Sequence, residues 1–129
     1  MSLFYNNLKI EKRWLLDTLE LAHTIVNALE DKKGEDIVLL DLKGIISFSD
    51  YFIICTATSN RMLNALADGV LEKTRLEHKK KGRIEGTPDA GWMIIDYGDI
   101  VVHLFDADLR RYYQLEQLWD EGKVLLKVQ

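Results

Sequence analysis

Between Gly91 and Trp119 the chain reads GWMIIDYGDIVVHLFDADLRRYYQLEQLW. Aspartates, a histidine, two arginines and three tyrosines crowd into it, with two of the three tryptophans. These types serve either an active site or a protein-binding face. Catalysis needs more than their presence: a nucleophile beside a base, converging metal ligands, or a glycine-lined phosphate cradle. His23, His78 and His103 are far apart in sequence, and no Cys or His pair has zinc spacing. Ser47, Ser49 and Ser59 lie outside any Gly-x-Ser-x-Gly elbow. Cys55 sits in the apolar run Tyr51-Phe52-Ile53-Ile54-Cys55 and reads as a buried thiol with no reason to ionise. His103 reads as a hydrogen-bonded structural histidine in a strand.

Phosphate chemistry has its own requirements. Thr56-Ala57-Thr58-Ser59-Asn60 joins a strand to a helix, as in a nucleotidyltransferase, but contains no glycine. Metal-assisted nucleotidyl transfer also needs a carboxylate pair on a following strand. Asp68 is followed by Gly69 and Val70, so no Asp-x-Asp pair appears there. Asp96 and Asp99 flank Tyr97 and Gly98, where turn bonding suits them as well as metal does. The reading is therefore no catalytic residue, no metal and no cofactor.

The elements that must position these residues follow from periodicity. Leu15, Leu19, Ala22, Val26 and Leu29 form one helical stripe, which predicts a helix over 12–33, with Gly34 as its stop. Residues 37–42 and 51–57 are short apolar runs and read as strands covered on both faces. Ser59 caps a second helix, 60–79, whose stripe is Leu63, Leu66, Ala67, Val70 and Thr74. Residues 83–87 read as a short strand. Residues 92–96 and 100–105, joined by Tyr97-Gly98-Asp99, read as an antiparallel hairpin at the sheet edge. A third helix spans 108–120, capped by Asp106 or Asp108, and 123–128 is a strand-like tail. The fold class is α/β in the broad sense (α+β), a mixed β-sheet flanked by helices.

Composition bounds the rest. The 129 residues are 47% hydrophobic, which suits one domain over 1–129 with its core at about 12–120. The single cysteine excludes an internal disulfide. The net charge of −4 disfavours wholesale nucleic-acid wrapping and favours a basic protein partner. No apolar run approaches the roughly 20 residues of a membrane span, and no secretory signal is visible, so the cytoplasm is the expectation. The basic run His78-Lys79-Lys80-Lys81 complements a helix C-terminus or touches phosphates.

Several motifs, in order, resemble one family. Ser49-Asp50-Tyr51-Phe52-Ile53-Ile54 and Thr58-Ser59-Asn60-Arg61 resemble the first signature of the ribosomal silencing factor family, also called Iojap or RsfS. Glu85-Gly86, Gly91-Trp92, Asp96-Tyr97-Gly98-Asp99, Val102-His103 and Arg110-x-Tyr112-Tyr113-x-Leu115-Glu116-x-Leu118-Trp119 resemble the second. Lys33-Gly34-Glu35-Asp36-Ile37 is similar to its opening, and the resemblance covers roughly 16–120. Ala57 stands where many members have glycine. The resemblance implies a nucleotidyltransferase-like fold without catalytic carboxylates. It also implies a non-enzymatic translation repressor. Such a factor binds the large ribosomal subunit through its ribosomal protein fourteen and blocks joining of the small subunit under nutrient limitation.

Binding of that kind needs aromatic anchors and acidic complementarity to a basic protein. The partner-binding candidates are Trp92, Asp96, Tyr97, Asp99, Arg110, Tyr113 and Glu116. Tyr112, Leu115 and Trp119 share a stripe expected to hold the core. Further expectations are a minor ribosomal RNA contact through Lys79, Lys80 and Lys81, and a homodimer of the free protein. The competing readings are a nucleotidyltransferase-like enzyme using Asp50, Asp96 or Asp99, and an RNA-binding module using the lysine run and Arg83.

Overall fold

Two apolar strands, both buried along nearly their whole length, set the plan of the molecule. In the computed structural model, which describes residues 3–118 and 122–129 and the side chains of 12, 13, 15–117 and 122–129, β2 (Tyr51–Ala57) and β5 (Ile100–Asp106) pair in parallel, Tyr51 opposite Ile100. Every residue of β2 and all but the last of β5 is buried. Strands with apolar side chains on both faces take the centre of a sheet, because only there are both faces covered. Around them lie β1 (Glu35–Asp41), β3 (Arg83–Thr87), β4 (Trp92–Asp96) and β6 (Lys123–Val128), in the order β3-β4-β5-β2-β1-β6. All the other pairings are antiparallel.

Two helices cover one face. α1 (Leu3–Asp31) places Ala22, Ile25, Val26 and Leu29 on it, and α2 (Asn60–His78) places Leu63, Leu66, Ala67, Val70 and Thr74 there. They meet Ile37, Leu39, Ile53, Cys55, Met93, Ile95, Val102 and Leu104 of the sheet. Each large aliphatic buried in this layer contributes about 1.5–3 kcal/mol. Ser59 caps α2 as its sequence position predicts, accepting from the Met62 N–H at 3.1 Å. The expected α2 stripe is buried in full. α1 starts earlier than the predicted 12, and Leu15 of its stripe is 38% exposed. Among the described side chains of α1, burial begins at Thr18, so the predicted stripe is open at Leu15 and buried from Ala22 on.

Two expectations are corrected. The β4–β5 hairpin is antiparallel but not at the edge: β3 flanks β4, and β5 lies inside against β2. The exposed, polar β3 takes the edge because the doubly apolar β5 cannot. The third helix is not continuous over 108–120. α3 (Ala107–Tyr113) ends where Gln114 turns left-handed, φ 47° and ψ 55°, with its N–H on the Arg110 carbonyl at 3.0 Å. A short α4 (Leu115–Leu118) follows. The break re-aims the expected core stripe: Leu115 is buried, whereas Tyr112 is 78% exposed. Trp119, its third member, lies outside the described residues.

Gly34 shows how tightly the helical layer meets the sheet. A Cβ there would lie 2.4 Å from Cys55 Sγ and 3.2 Å from the Leu29 carbonyl oxygen. Burial pushes the Cys55 thiol up to about 12, as expected of an inert core residue. Gly34→Ala is therefore expected to cost about 1–3 kcal/mol by overpacking. In denaturant titrations Gly34→Ala with Cys55→Ala should lose less than the sum of the two single changes. Strict additivity would show that the clash is not the cause.

Candidate protein-docking face

The second face of the sheet is covered by aromatic rings and left partly open. Alternation along β4 sends Met93 and Ile95 to the helices and leaves Trp92, Ile94 and Asp96 on the other side, half-buried. Trp92 pairs with Phe105 across the β4–β5 ladder, and Ile94 with His103. Val38, Leu40, Phe52, Ile54, Val101, Phe105 and Leu115 form the buried floor of this face.

The rings run in sequence across it. Phe48, in the loop before β2, lies 6.1 Å from Phe52, and Phe52 lies 4.6 Å from the His103 ring. Trp92 stacks on Phe105 at 4.9 Å and meets Tyr113 at 4.7 Å; Tyr112 stands edge-on to Tyr113 at 5.1 Å. Such contacts hold the rings at fixed angles. The ends of the row are open to solvent: Phe48 is 64% exposed and Tyr112 78%, with Tyr113 beside it at 39%. A row of preset aromatics with exposed members fits protein docking, because large rigid side chains bury area at low entropy cost. Phe48, Phe52, Phe105 and Tyr112 are absent from the candidates drawn from sequence. Phe52 and Phe105 share side-chain parity with Ile54 and His103, a signal available in sequence; Phe48 sits in a loop whose polar residues masked it.

The sequence candidates divide among three places. Trp92 and Tyr113 lie in the aromatic row, with Asp96 on the same face. Asp96 accepts from the Gly98 N–H at 2.7 Å and faces Arg83 at 3.4 Å, so it holds the turn and an ion pair together. Tyr97 points the other way, its hydroxyl 2.8 Å from Thr74 Oγ1, and burial raises its pKa. The Asp99 carbonyl receives the N–H groups of Asp50 and Tyr51 and the Ser49 hydroxyl. Its carboxyl is raised by burial and by Asp50, against a lowering by Lys80. Arg110 and Glu116 form a third group: Arg110 reaches Glu116 Oε1 at 2.5 Å, Thr56 Oγ1 at 2.8 Å and the Asp36 carbonyl. With its side chain only 13% exposed, Arg110 ties α3 and α4 to β1 and β2.

Gly91 joins this region to the hairpin. At φ 77° it permits the turn after the 3-10 segment Pro88–Ala90, and a Cβ would lie 2.3 Å from Asp106 Oδ2. Asp106 in turn caps α3, accepting from the Leu109 N–H at 2.8 Å. The start of the helix that carries Tyr112 and Tyr113 is thus set by a glycine–aspartate contact.

Asp50 and Asp99 do not converge on the strand-to-helix turn. Asp50 and Asp99 precede β2 and β5, whereas Thr58 and Ser59 follow β2. The seven residues of β2 separate those ends by about 20 Å. Among the described residues no three His, Cys, Asp or Glu side chains come together.

His103 sits under the aromatic row. Trp92 Nε1–H donates to its Nδ1 at 3.3 Å, which puts the ring proton on Nε2. That Nε2 is buried without a hydrogen-bond partner among the described residues. Burial lowers the His103 pKa from 6.5 to about 4. The folded pKa is below the unfolded one, so the unfolded state takes up the proton first as pH falls. Stability from this group is full above about pH 6.5 and is lost toward pH 4, by about 3 kcal/mol in all. His103→Phe should therefore flatten the acid limb of stability against pH by about one proton in that window. An unchanged limb would place its origin elsewhere.

Comparison with known proteins agrees on one family. The family model described as "Ribosomal silencing factor during starvation" matches residues 16–128. A ribosomal silencing factor of Halalkalibacterium halodurans is 41% identical over 103 residues, spanning 80% of this chain and 88% of that protein. One from Bacillus subtilis is 39% identical over 95 residues, 74% of this chain and 80% of that protein. A crystal structure of a Chromobacterium violaceum protein superposes with a TM-score of 0.75 at 36% identity, covering 79% of this chain and 85% of that one. The motif order, the mixed sheet flanked by helices and these matches together show that the chain belongs to the ribosomal silencing factor (RsfS) family.

Proposed function

We propose that this protein represses translation by binding the large ribosomal subunit through its ribosomal protein fourteen. The bound protein excludes the small subunit by its bulk, and translation falls when nutrients are limiting. The observation that carries this reading is the row of preset, partly exposed rings from Phe48 to Tyr112 on the face of the sheet away from α1 and α2. A family of ribosome-silencing factors supports it. A mouse relative, 31% identical over 100 residues, is named for mitochondrial assembly of the ribosomal large subunit. The net charge of −4 suits a basic ribosomal protein and speeds the encounter.

In this reading Trp92 and Tyr113 are the anchors, Tyr112 and Phe48 widen the contact, and Asp96 supplies an acceptor at its margin. Arg110 and Glu116 act one step back, by holding α3 in place. Tyr97 and Asp99 position the β4–β5 turn. The process is steric, so it needs neither turnover nor a cofactor.

The test is subunit joining on a gradient with and without the protein. Wild type is expected to travel with large subunits and reduce joined ribosomes. Tyr112→Asp and Phe48→Asp change exposed positions, so the fold should persist while large-subunit affinity falls roughly tenfold or more. Trp92→Ala should weaken binding further at a modest cost in stability. Folded Tyr112→Asp and Phe48→Asp proteins that still co-sediment fully would move the docking face elsewhere. A wild type that never co-sediments would end the proposal.

A further inference from the structure

A second surface lies on the opposite side of the sheet and is built differently. Between the end of α2 and the edge strand β3 runs an open groove of about 880 Å³. Its floor is apolar: Leu71 is partly buried, Leu76 is 62% exposed and Ile84 is 41% exposed. Its rim is basic, with Arg75, Lys79, Lys80 and Lys81 against the one acid Glu72. This concentration of cations stands in a chain whose net charge is −4. Arg75, Lys79 and Lys81 enter no ion pair among the described residues, and Lys80 faces Asp99. The position of the lysines past α2 suits the helix dipole. The dipole does not account for the apolar floor beside them.

The third feature is β3 itself. It pairs only with β4, so alternate N–H and C=O groups of Arg83–Thr87 point away from the sheet. All five of its residues are exposed. Ile84 lies opposite Ile95 and so shares the helical face, toward the groove. Arg83 and Glu85 alternate to the other face, where Arg83 pairs with Glu85 and Asp96. A free strand edge with an apolar trough along it is what strand-addition recognition uses, and the basic rim adds a preference for an acidic segment.

We propose that this groove receives an extended acidic segment of a partner protein, added to β3 as a further strand. Alternate apolar side chains of the segment lie over Leu71, Leu76 and Ile84. Its carboxylates meet Arg75, Lys79 and Lys81. A protein chain is favoured over RNA because the groove lining contains no aromatic ring on which a base would stack, and because a strand edge offers regularly spaced backbone groups. The surface is separate from the aromatic row, so a protein held by one face keeps the other available.

The experiment uses the intact protein and a short fluorescent peptide alternating glutamate and valine. Comparison probes are a lysine–valine peptide and an oligouridylate. The acidic peptide is expected to bind at least roughly tenfold tighter than the basic one and to protect the amides of Arg83–Thr87 from hydrogen exchange. Leu76→Asp, and Lys79→Glu with Lys81→Glu, should each weaken it roughly tenfold, whereas Tyr112→Asp should leave it unchanged. Oligouridylate binding tighter than the peptide would overturn the proposal in favour of RNA. Absence of peptide binding, binding without protection of β3, or indifference to Leu76→Asp would overturn it outright. Because Tyr112→Asp reports on the aromatic face alone, failure here is distinguishable from failure of the ribosomal reading.

Discussion

The parallel pairing of β2 with β5 is the constraint on which the other elements depend. Both strands carry apolar side chains on both faces, and neither tolerates an edge. Once they are paired centrally, two layers must cover them. α1 and α2 supply one with a matched pair of aliphatic stripes. Among the described residues no long helix covers the other. Aromatic rings, the loop around Phe48 and the short α3–α4 segment do so instead.

That asymmetry gives rise to the proposed docking face. A layer of two long helices buries the central strands of its sheet face, leaving the edge strand β3 in water. A layer of rings on loops and a seven-residue helix covers the floor but leaves its outer members in water. The rings are held by one another and by the Trp92–His103 hydrogen bond, so the proposed docking face is arranged before any contact. The Arg110–Glu116 pair and the Asp106 cap keep α3 in register with the sheet. Polar groups that resemble an active site thus spend their bonding capacity on holding a surface.

Much of this architecture was legible in the linear chain. The α2 stripe, the Ser59 cap and the β2 boundaries stand where period and capping rules put them, because each is set by neighbours within a few residues. The misplacements share a cause. The hairpin lies inside the sheet because its position depends on β3 and β2, strands distant in sequence. The third helix breaks at Gln114, a residue with no strong turn preference, and the break turns Tyr112 from core to surface. Trp92 stands out by residue type and Tyr113 by its helical phase, and both lie in the aromatic row, whereas Phe48 is hidden because a loop has no periodicity to mark a side chain as meaningful.

Sequence alone determined the element types, the apolar faces, the absence of a nucleophile–base or metal-spacing motif, and the family resemblance. These are properties of residue identity and short spacing. Tertiary structure decided which strands are central, which rings form one row, and where the unpaired lysines meet the open edge of β3. Each of those depends on residues tens of positions apart being brought within a few ångströms. Only the assembled sheet, with its order set by burial of β2 and β5, specifies those neighbours.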